Sequence, residues 1–387
     1  MMLSRSSSAG RKFTCSSRRR RRASSSSSSL RRASSSVSEN KDEDRDKKKK
    51  KNEIKMNWFK KEAELPNGAK IKYVSRVDVK FLYDEIYVED AYEIGKRRDG
   101  GNNARVVDGD DIVGENEEVY TIVDVGANIG LFALKVLNKH RKKRCALYAF
   151  EPSRAAFEAL TYNLKEYDDS NSTNSNSNNT LKVKLINKAV GNPLNNNNNG
   201  EDSIEFTSYP NAAGWSTCLE DEEETYKNVM SYAETLIISI FTSKRYLRFA
   251  KQFVENVLFN DVLKARTVFL SSIVSIVLKW LTFAKTVSRV KVVSISKEIF
   301  QNMNVSKINL LKIDVERFEL DVLQGINEED WLKIESVCVE VHDGDDRLGV
   351  QKVRALLLEK GRFKDVTVEQ PESLKHSYLF NVFAERV

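Results

Sequence analysis

Four short stretches of this 387-residue chain place chemically capable side chains at the ends of apolar runs. The first is Asp124-Val125-Gly126-Ala127-Asn128-Ile129-Gly130, where the β-branched run at 121–125 leads straight into a glycine-containing turn. Small residues at the end of a buried strand let the backbone come close to a bound nucleoside, and the helix that follows offers free N–H groups. Asp124 stands two residues before the first glycine. An acid there is a poor neighbour for a pyrophosphate and suits a ligand bearing an ammonium group, such as the methionine end of S-adenosylmethionine. Glu151 closes the next apolar run, 146–150. A carboxylate at that place can accept from both ribose hydroxyls, in dinucleotide enzymes and methyltransferases alike. Loop and acid together point to a nucleoside cofactor. The loop lacks the Gly-x-Gly-x-x-Gly order and has Asn128 at its centre, which disfavours a nicotinamide-dependent oxidoreductase.

The third stretch runs from Leu310 through Lys312-Ile313-Asp314-Val315-Glu316-Arg317 to Glu319. Asp314 falls at the carboxyl end of a strand at 309–313, where ligands sit in open α/β sheets. It can hold substrate or cofactor, or bind a metal with Glu316. With no His nearby in sequence, no metal is expected. Glu319 is read as solvated or paired with Arg317. The fourth stretch is Glu340-Val341-His342-Asp343. His342 follows the next strand end and faces the same crevice. An alcohol needs a proton acceptor to become a good nucleophile, and imidazole is the side chain best matched to neutral pH. His342 is the first candidate for that base and Asp314 the second; a plain loop hydrogen-bonding role for His342 is the alternative. His140 ends a charged helix and His376 lies in a turn, so both have weaker claims.

These residues need a parallel sheet to bring them together. The order of signals is strand 121–125, a helix with Leu131 and Leu134, strand 146–150, a Ser153-capped helix with Phe157, Leu160 and Leu164, and strand 183–190. That order calls for right-handed crossovers. The pattern resumes with strand 309–313, a short helix at 319–324 stopped by Gly325 in the C′ position, strand 336–341, a helix at 350–359, and an antiparallel pair at 364–369 and 378–385. The predicted fold is α/β, a doubly wound, mostly parallel seven-stranded sheet. A cap segment at 56–118 precedes it, with a Pro66-Asn67-Gly68 turn and a helix that buries Val79, Leu82, Tyr83 and Ile86. The main domain spans 119–387. Asn/Ser-rich tracts at 168–180 and 195–199 read as surface padding.

A helical insertion is expected at about 221–290. Its apolar stretch, 267–284, is long enough to contact a membrane, but Lys279 lies inside it and Lys264, Arg266 and Lys285 crowd the ends. A helical layer over the active-site face is the preferred reading.

Charge is unevenly placed. The chain carries +7 overall, yet residues 1–40 hold ten Lys/Arg against one acid, and 41–55 hold eight basic and five acidic residues. The remainder is therefore acidic, which argues against nucleic acid as a partner. Residues 1–55 read as a disordered leader and Lys-rich linker. The acid-free Arg/Ser mixture before Glu39 has the marks of a mitochondrial or chloroplast transit peptide. The four cysteines lack zinc-site spacing, and Cys145, Cys218 and Cys338 are read as reduced, packed thiols.

With these sites in hand, the sequence resembles the FkbM family of methyltransferases. The resemblance rests on 124–130, Phe150-Glu151-Pro152, Leu311-Lys312-Ile313-Asp314-Val315-Glu316 and Glu319-Leu320-Asp321-Val322-Leu323. Phe81-Leu82-Tyr83-Asp84-Glu85-Ile86-Tyr87, Asp330-Trp331 and Val339-Glu340-Val341-His342-Asp343 are similar to the O-methyltransferase branch found in polyketide and peptide assembly lines. Arg317 departs from the pattern, which often has glycine there. The resemblance implies methyl transfer from S-adenosylmethionine, most often to a hydroxyl of a small molecule. It implies that Asp124, Gly126, Asn128, Gly130 and Glu151 line the cofactor site, with Asp314 and His342 at the reacting centre. The rival outside catalysis is a membrane-associated binding protein that keeps a degenerate fold.

Overall fold

The computed structural model describes residues 54–57, 60–92, 118–140, 144–167, 181–193, 202–219, 275–276, 279–343, 347–371, 374 and 377–386. The leader, both Asn/Ser tracts, 221–274 of the expected insertion and His376 lie outside these residues.

The main sheet is built from β4 (Tyr120–Val125), β5 (Cys145–Phe150), β6 (Leu181–Ile186), β10 (Leu310–Ile313), β11 (Ser336–His342), β12 (Asp365–Glu369) and β13 (Leu379–Glu385). Three antiparallel strands, β1 (Lys55–Asn57), β2 (Glu62–Glu64) and β3 (Lys70–Lys72), precede it, and β7 (Ala189–Val190), β8 (Ser203–Ser208) and β9 (Thr286–Val293) form a separate small sheet. The seven strands lie in the order β12-β13-β11-β10-β4-β5-β6. All are parallel except β13, which runs antiparallel to both β11 and β12. The chain winds outward from β4 in one direction and from β10 in the other. The switch point between those two strands opens a crevice at their carboxyl ends.

Both faces of the sheet are buried, and the pleat divides each strand between two cores. Ile122 packs with Leu147 and Ala149 on one side; Val123 and Val125 pack with Tyr148 and Phe150 on the other. The first side is covered by α2 (Leu131–Lys139), by α3 (Arg154–Asn163) and by the N-terminal segment with its helix α1 (Arg76–Tyr83). The second is covered by α4 (Glu319–Gln324), α5 (Leu348–Glu359) and the turn carrying Ile295 and Ile299. Ser153 caps α3 by accepting from the N–H of Ala156. Helix α1 runs on into a π-helical turn, Asp84–Val88, that turns Glu85 and Ile86 inward.

Three expectations change. The run at 183–190 is two strands: β6 stays in the main sheet and β7 leaves it to pair with β9. The helical insertion does not reach 290, because the β-branched sequence from Thr286 forms β9, whose residues 286–291 pair with β8. Gly325 ends α4 with an ordinary φ of −76° rather than a left-handed one. It is glycine for want of space, since a Cβ there would lie 2.5 Å from the carbonyl oxygen of Gly191. Among the described residues, no helix is long and apolar enough to cross a membrane.

Candidate active site

One face of the sheet carries a row of charge into the crevice. Lys312 is paired in register with Asp124, and both are buried. The same pleat places Asp314, Glu340 and His342 on that face, because they alternate with Ile313, Val339 and Val341 of the other core. Lys312 Nζ lies 3.3 Å from Asp124 Oδ1 and 3.1 Å from Asp314 Oδ2, and it donates to the carbonyl of Gly126 at 3.1 Å. Burial opposes a charged lysine, but Asp124 and Asp314 outweigh it and hold its pKa above the ordinary value. Burial pushes the Asp124 carboxyl up despite Lys312. Apart from this contact with Lys312, neither of its oxygens has a hydrogen-bond partner.

The loop after β4 turns through left-handed backbone at Gly126 (φ 79°), Asn128 (φ 48°) and Gly130 (φ 87°). The expectation for the glycines changes in one respect: the chain itself fills the space they leave. A Cβ on Gly126 would sit 1.7 Å from the carbonyl oxygen of Asp314, and one on Gly130 would sit 2.6 Å from a methyl of Leu160. Gly126 thus locks the ends of β4 and β10 together. Glu151, also buried, accepts from the backbone N–H of Asn128 at 2.9 Å and of Ser153 at 2.7 Å. Burial drives its carboxyl up to about 7 against those two hydrogen bonds.

Opposite the loop, His342 is held between two acids. Its Nε2 lies 2.7 Å from Glu316 and its Nδ1 3.1 Å from Glu319. Burial works against the charged ring, but the two carboxylates outweigh it and raise its pKa well above the usual value. The neutral, proton-accepting imidazole expected from the sequence is therefore not the form this setting favours. Glu319 is buried rather than solvated, and it accepts from the backbone N–H of Arg317 at 2.7 Å. Glu316 and Arg317 both adopt positive φ, 52° and 79°. Two consecutive non-glycine residues in that region are costly and persist where the surroundings over-determine them. Here His342 holds the Glu316 side chain, and the Thr217 hydroxyl donates to its carbonyl.

A short segment roofs the crevice. The 3-10 turn Ala213–Trp215 brings Gly214 beside Asn128 and Asp78. Asp78 of α1 accepts from the N–H of Gly214 at 3.1 Å, and burial raises its carboxyl to about 6. Under Asp314 lies a further group that sequence reasoning passed over. The Tyr92 hydroxyl sits 2.9 Å from Glu85, 3.1 Å from Glu340 and 3.3 Å from Asp314.

The structure brings Asp124, Gly126, Asn128, Glu151, Asp314 and His342 to one crevice, with Gly130 anchoring the loop behind them. His140 lies at the other end of the sheet, stacked on Tyr120. Lys312, Glu340, Glu85, Tyr92 and Asp78 were missed. The alternation Lys312-Ile313-Asp314 and Glu340-Val341-His342 did signal one charged face, but Glu85, Tyr92 and Asp78 come from a remote segment. Lys312 is the one lysine or arginine among the described residues that is buried, and with the charged, buried His342 ring it faces Glu85, Asp124, Glu151, Glu319 and Glu340 in the same region, so acids still outnumber cations. Such an excess of buried acid favours a cationic ligand. Among the described residues, no three His, Cys, Asp or Glu side chains are arranged to hold a metal ion.

Comparison with known proteins gives a consistent picture. The model of the methyltransferase FkbM domain matches residues 124–364. The chain is 26% identical over 322 residues to the 31-O-demethyl-FK506 methyltransferase FkbM of Streptomyces tacrolimicus, covering 83% of this chain and 95% of that protein. It is 26% identical over 315 residues to methyltransferase sdnD of Sordaria araneosa, covering 80% and 92%. A third match, 25% identical, is to the AMB antimetabolite synthetase AmbE of Pseudomonas aeruginosa; it covers 84% of this chain but only 12% of that protein.

Proposed function

The chain belongs to the FkbM methyltransferase family, and from that premise we propose that it transfers a methyl group from S-adenosylmethionine to a hydroxyl of a small molecule. The observation that carries this reading is the excess of buried acid around the switch-point crevice. S-adenosylmethionine bears both a sulfonium and an ammonium group, so it meets that excess with positive charge. A dinucleotide would bring a pyrophosphate beside Asp124 and Glu151, where no buried lysine or arginine other than Lys312 answers it among the described residues. The name of the Streptomyces relative, a 31-O-demethyl-FK506 methyltransferase, points to methylation at an oxygen and supports a hydroxyl as the acceptor.

On this reading Asp124, Gly126, Asn128, Gly130 and Glu151 hold the cofactor, which supplies an electrophilic methyl group. The buried carboxylate of Glu151, steadied by two backbone N–H groups, accepts from ribose hydroxyls. Asp314 faces the reacting side from the end of β10 and takes the proton that the acceptor hydroxyl loses. His342, as an imidazolium, fixes Glu316 at the rim in its left-handed conformation. Much of the rate comes from orientation, with the base assisting. An uncharged hydroxyl suits this acidic crevice better than a carboxylate or phosphate acceptor.

The test is transfer of labelled methyl from S-adenosylmethionine to a panel of neutral alcohols and phenols, with amines and carboxylates alongside. Label in a neutral hydroxyl compound supports the reading; label confined to amines or carboxylates, or none anywhere, contradicts it. With an accepted substrate, Asp314→Asn is expected to lower kcat by about 10²–10⁴-fold while cofactor binding persists.

A further inference from the structure

The Tyr92 hydroxyl has one hydrogen and three carboxyl neighbours: Glu85 at 2.9 Å, Glu340 at 3.1 Å and Asp314 at 3.3 Å. A phenol donates to one oxygen only, so its other close contacts need hydrogens from the carboxyls. Glu85 and Glu340 thus both lie within hydrogen-bond distance of one phenol oxygen that can donate only once. That geometry favours at least one proton held among the carboxyls of the cluster.

The groups facing this cluster are Lys312 of β10 and Asp314 just after it, His342 from β11, and Asn381 of β13, which pairs with Glu340. Lys312 Nζ sits 5.1 Å from the Tyr92 ring centroid, but it is already engaged with Asp124 and Asp314. Asn381 Nδ2 donates to the carbonyl of Ala91. The ring of Phe132 closes the cluster with an edge contact to Tyr92. Glu85, Tyr92 and Glu340 are buried, whereas the Asp314 side chain keeps 18% of its surface exposed. A proton on the cluster therefore has Asp314 as its route to the crevice.

We propose that Glu85, Tyr92 and Glu340 form a proton store behind Asp314, which gives up a proton when a sulfonium cation occupies the crevice and regains one when that charge is lost. The inference rests on the methyl-transfer reading above. In that reaction the O–C bond forms as the C–S bond breaks, sulfur keeps the electron pair, and the hydroxyl proton passes to Asp314. One positive charge on sulfur disappears and one proton appears. Asp314 can hand that proton through the Tyr92 hydroxyl to the Glu85–Glu340 pair, so the total charge of the buried site stays constant through the step. Burial, reinforced by the mutual repulsion of Glu85, Glu340 and Asp314, raises the Glu340 carboxyl well above its usual range and so favours the protonated store. Glu85, Tyr92 and Glu340 are positioning residues here, since they act through Asp314.

Proton linkage measures this without any acceptor. Binding of S-adenosylmethionine and of S-adenosylhomocysteine to the full chain is followed by calorimetry at about pH 8 in two buffers of different ionisation enthalpy. At that pH the Glu151 and Asp78 carboxyls, at about 7 and about 6, are mostly ionised and contribute little. The sulfonium ligand is expected to release about half to one proton more than its neutral-sulfur counterpart. That difference is expected to vanish in Glu340→Gln. Should that variant fail to fold, Tyr92→Phe keeps the ring packing and is expected to shrink the difference by breaking the link. Equal proton counts for the two ligands in the wild type, or a difference that survives in a folded variant, would overturn the store. Failure of both ligands to bind would remove the methyl-transfer reading itself.

Discussion

Lys312 is the residue on which the charged face depends. It lies in the middle of a buried strand and touches both Asp124 and Asp314, so its ammonium balances two acids that have no other described cation in contact. Removing one partner of a buried ion pair leaves the other charge uncompensated, at a cost of about 3–5 kcal/mol. Lys312→Met is therefore expected to lower stability by that order in a denaturant titration. Adding Asp124→Asn to Lys312→Met should recover part of the loss, because it removes one of the stranded charges. Additive losses in the double variant would show that Lys312 stabilises the fold through its packing alone. The sequence carried half of this arrangement. Glu151 and Asp314 were legible because each follows an apolar run, and Asp124 because a glycine turn begins two residues after it. Lys312 was hidden by the same logic, since a charge inside an apolar run looks like a solvent-facing break in the pattern until the second buried face is known.

At the scale of elements, the crevice is shaped by places where two backbones meet too closely for a side chain. Gly126 against Asp314 fixes β4 to β10, and Gly325 against Gly191 docks the end of α4 on the turn after β7. Gly325 separates clearance from conformation. Its φ is ordinary, so alanine would usually gain a few tenths of a kcal/mol there by restricting the unfolded chain. Instead a Cβ meets the Gly191 carbonyl at 2.5 Å. Gly325→Ala is expected to destabilise by about 1–3 kcal/mol, read as a lowered denaturant midpoint at unchanged slope; a neutral or stabilised variant would show that the contact relaxes freely. The strand and helix order of the main sheet was legible from period and capping alone, as at Ser153. The small sheet was not. Strand β9 follows a long apolar stretch that masks its alternation, and β7 is two residues long and continues β6 in sequence. Strand identity there is settled by which partner offers a free edge, a property of the tertiary structure.

Across the whole molecule, the buried acids set how stability responds to pH. Glu151 and Asp78 have carboxyls raised to about 7 and about 6, and burial raises those of Glu316 and Glu340 as well. A raised acid binds its proton more tightly in the folded than in the unfolded chain, so stability falls as pH rises between the two values. His342 acts in the same direction. Its pKa is raised by Glu316 and Glu319, so its contribution is complete below the unfolded value of about 6.5 and fades as pH climbs through the folded one. Glu298, lowered by Lys188 and Asn302 despite partial burial, opposes this only as pH falls below the usual carboxylate range. Unfolding free energy is expected to be larger at about pH 5.5 than at about pH 8, with Glu151 alone contributing about 2 kcal/mol of the change. Glu151→Gln should flatten the slope; a protein more stable at the higher pH would contradict the assignment of protons to these acids. None of this was visible from composition, because the excess of acid arises from which few carboxylates the fold buries.

The central claim is that this acid-lined crevice binds a cationic nucleoside, and direct calorimetric binding tests it most plainly. The full chain is titrated with S-adenosylmethionine and, separately, with NAD, in wild type and in Glu151→Ala, with circular dichroism to verify folding. The account predicts saturable binding of S-adenosylmethionine, no measurable binding of NAD, and at least about tenfold weaker binding in the variant, equivalent to about 1.4 kcal/mol. NAD binding as tight as S-adenosylmethionine, or no binding of either to a folded wild-type chain, would contradict it.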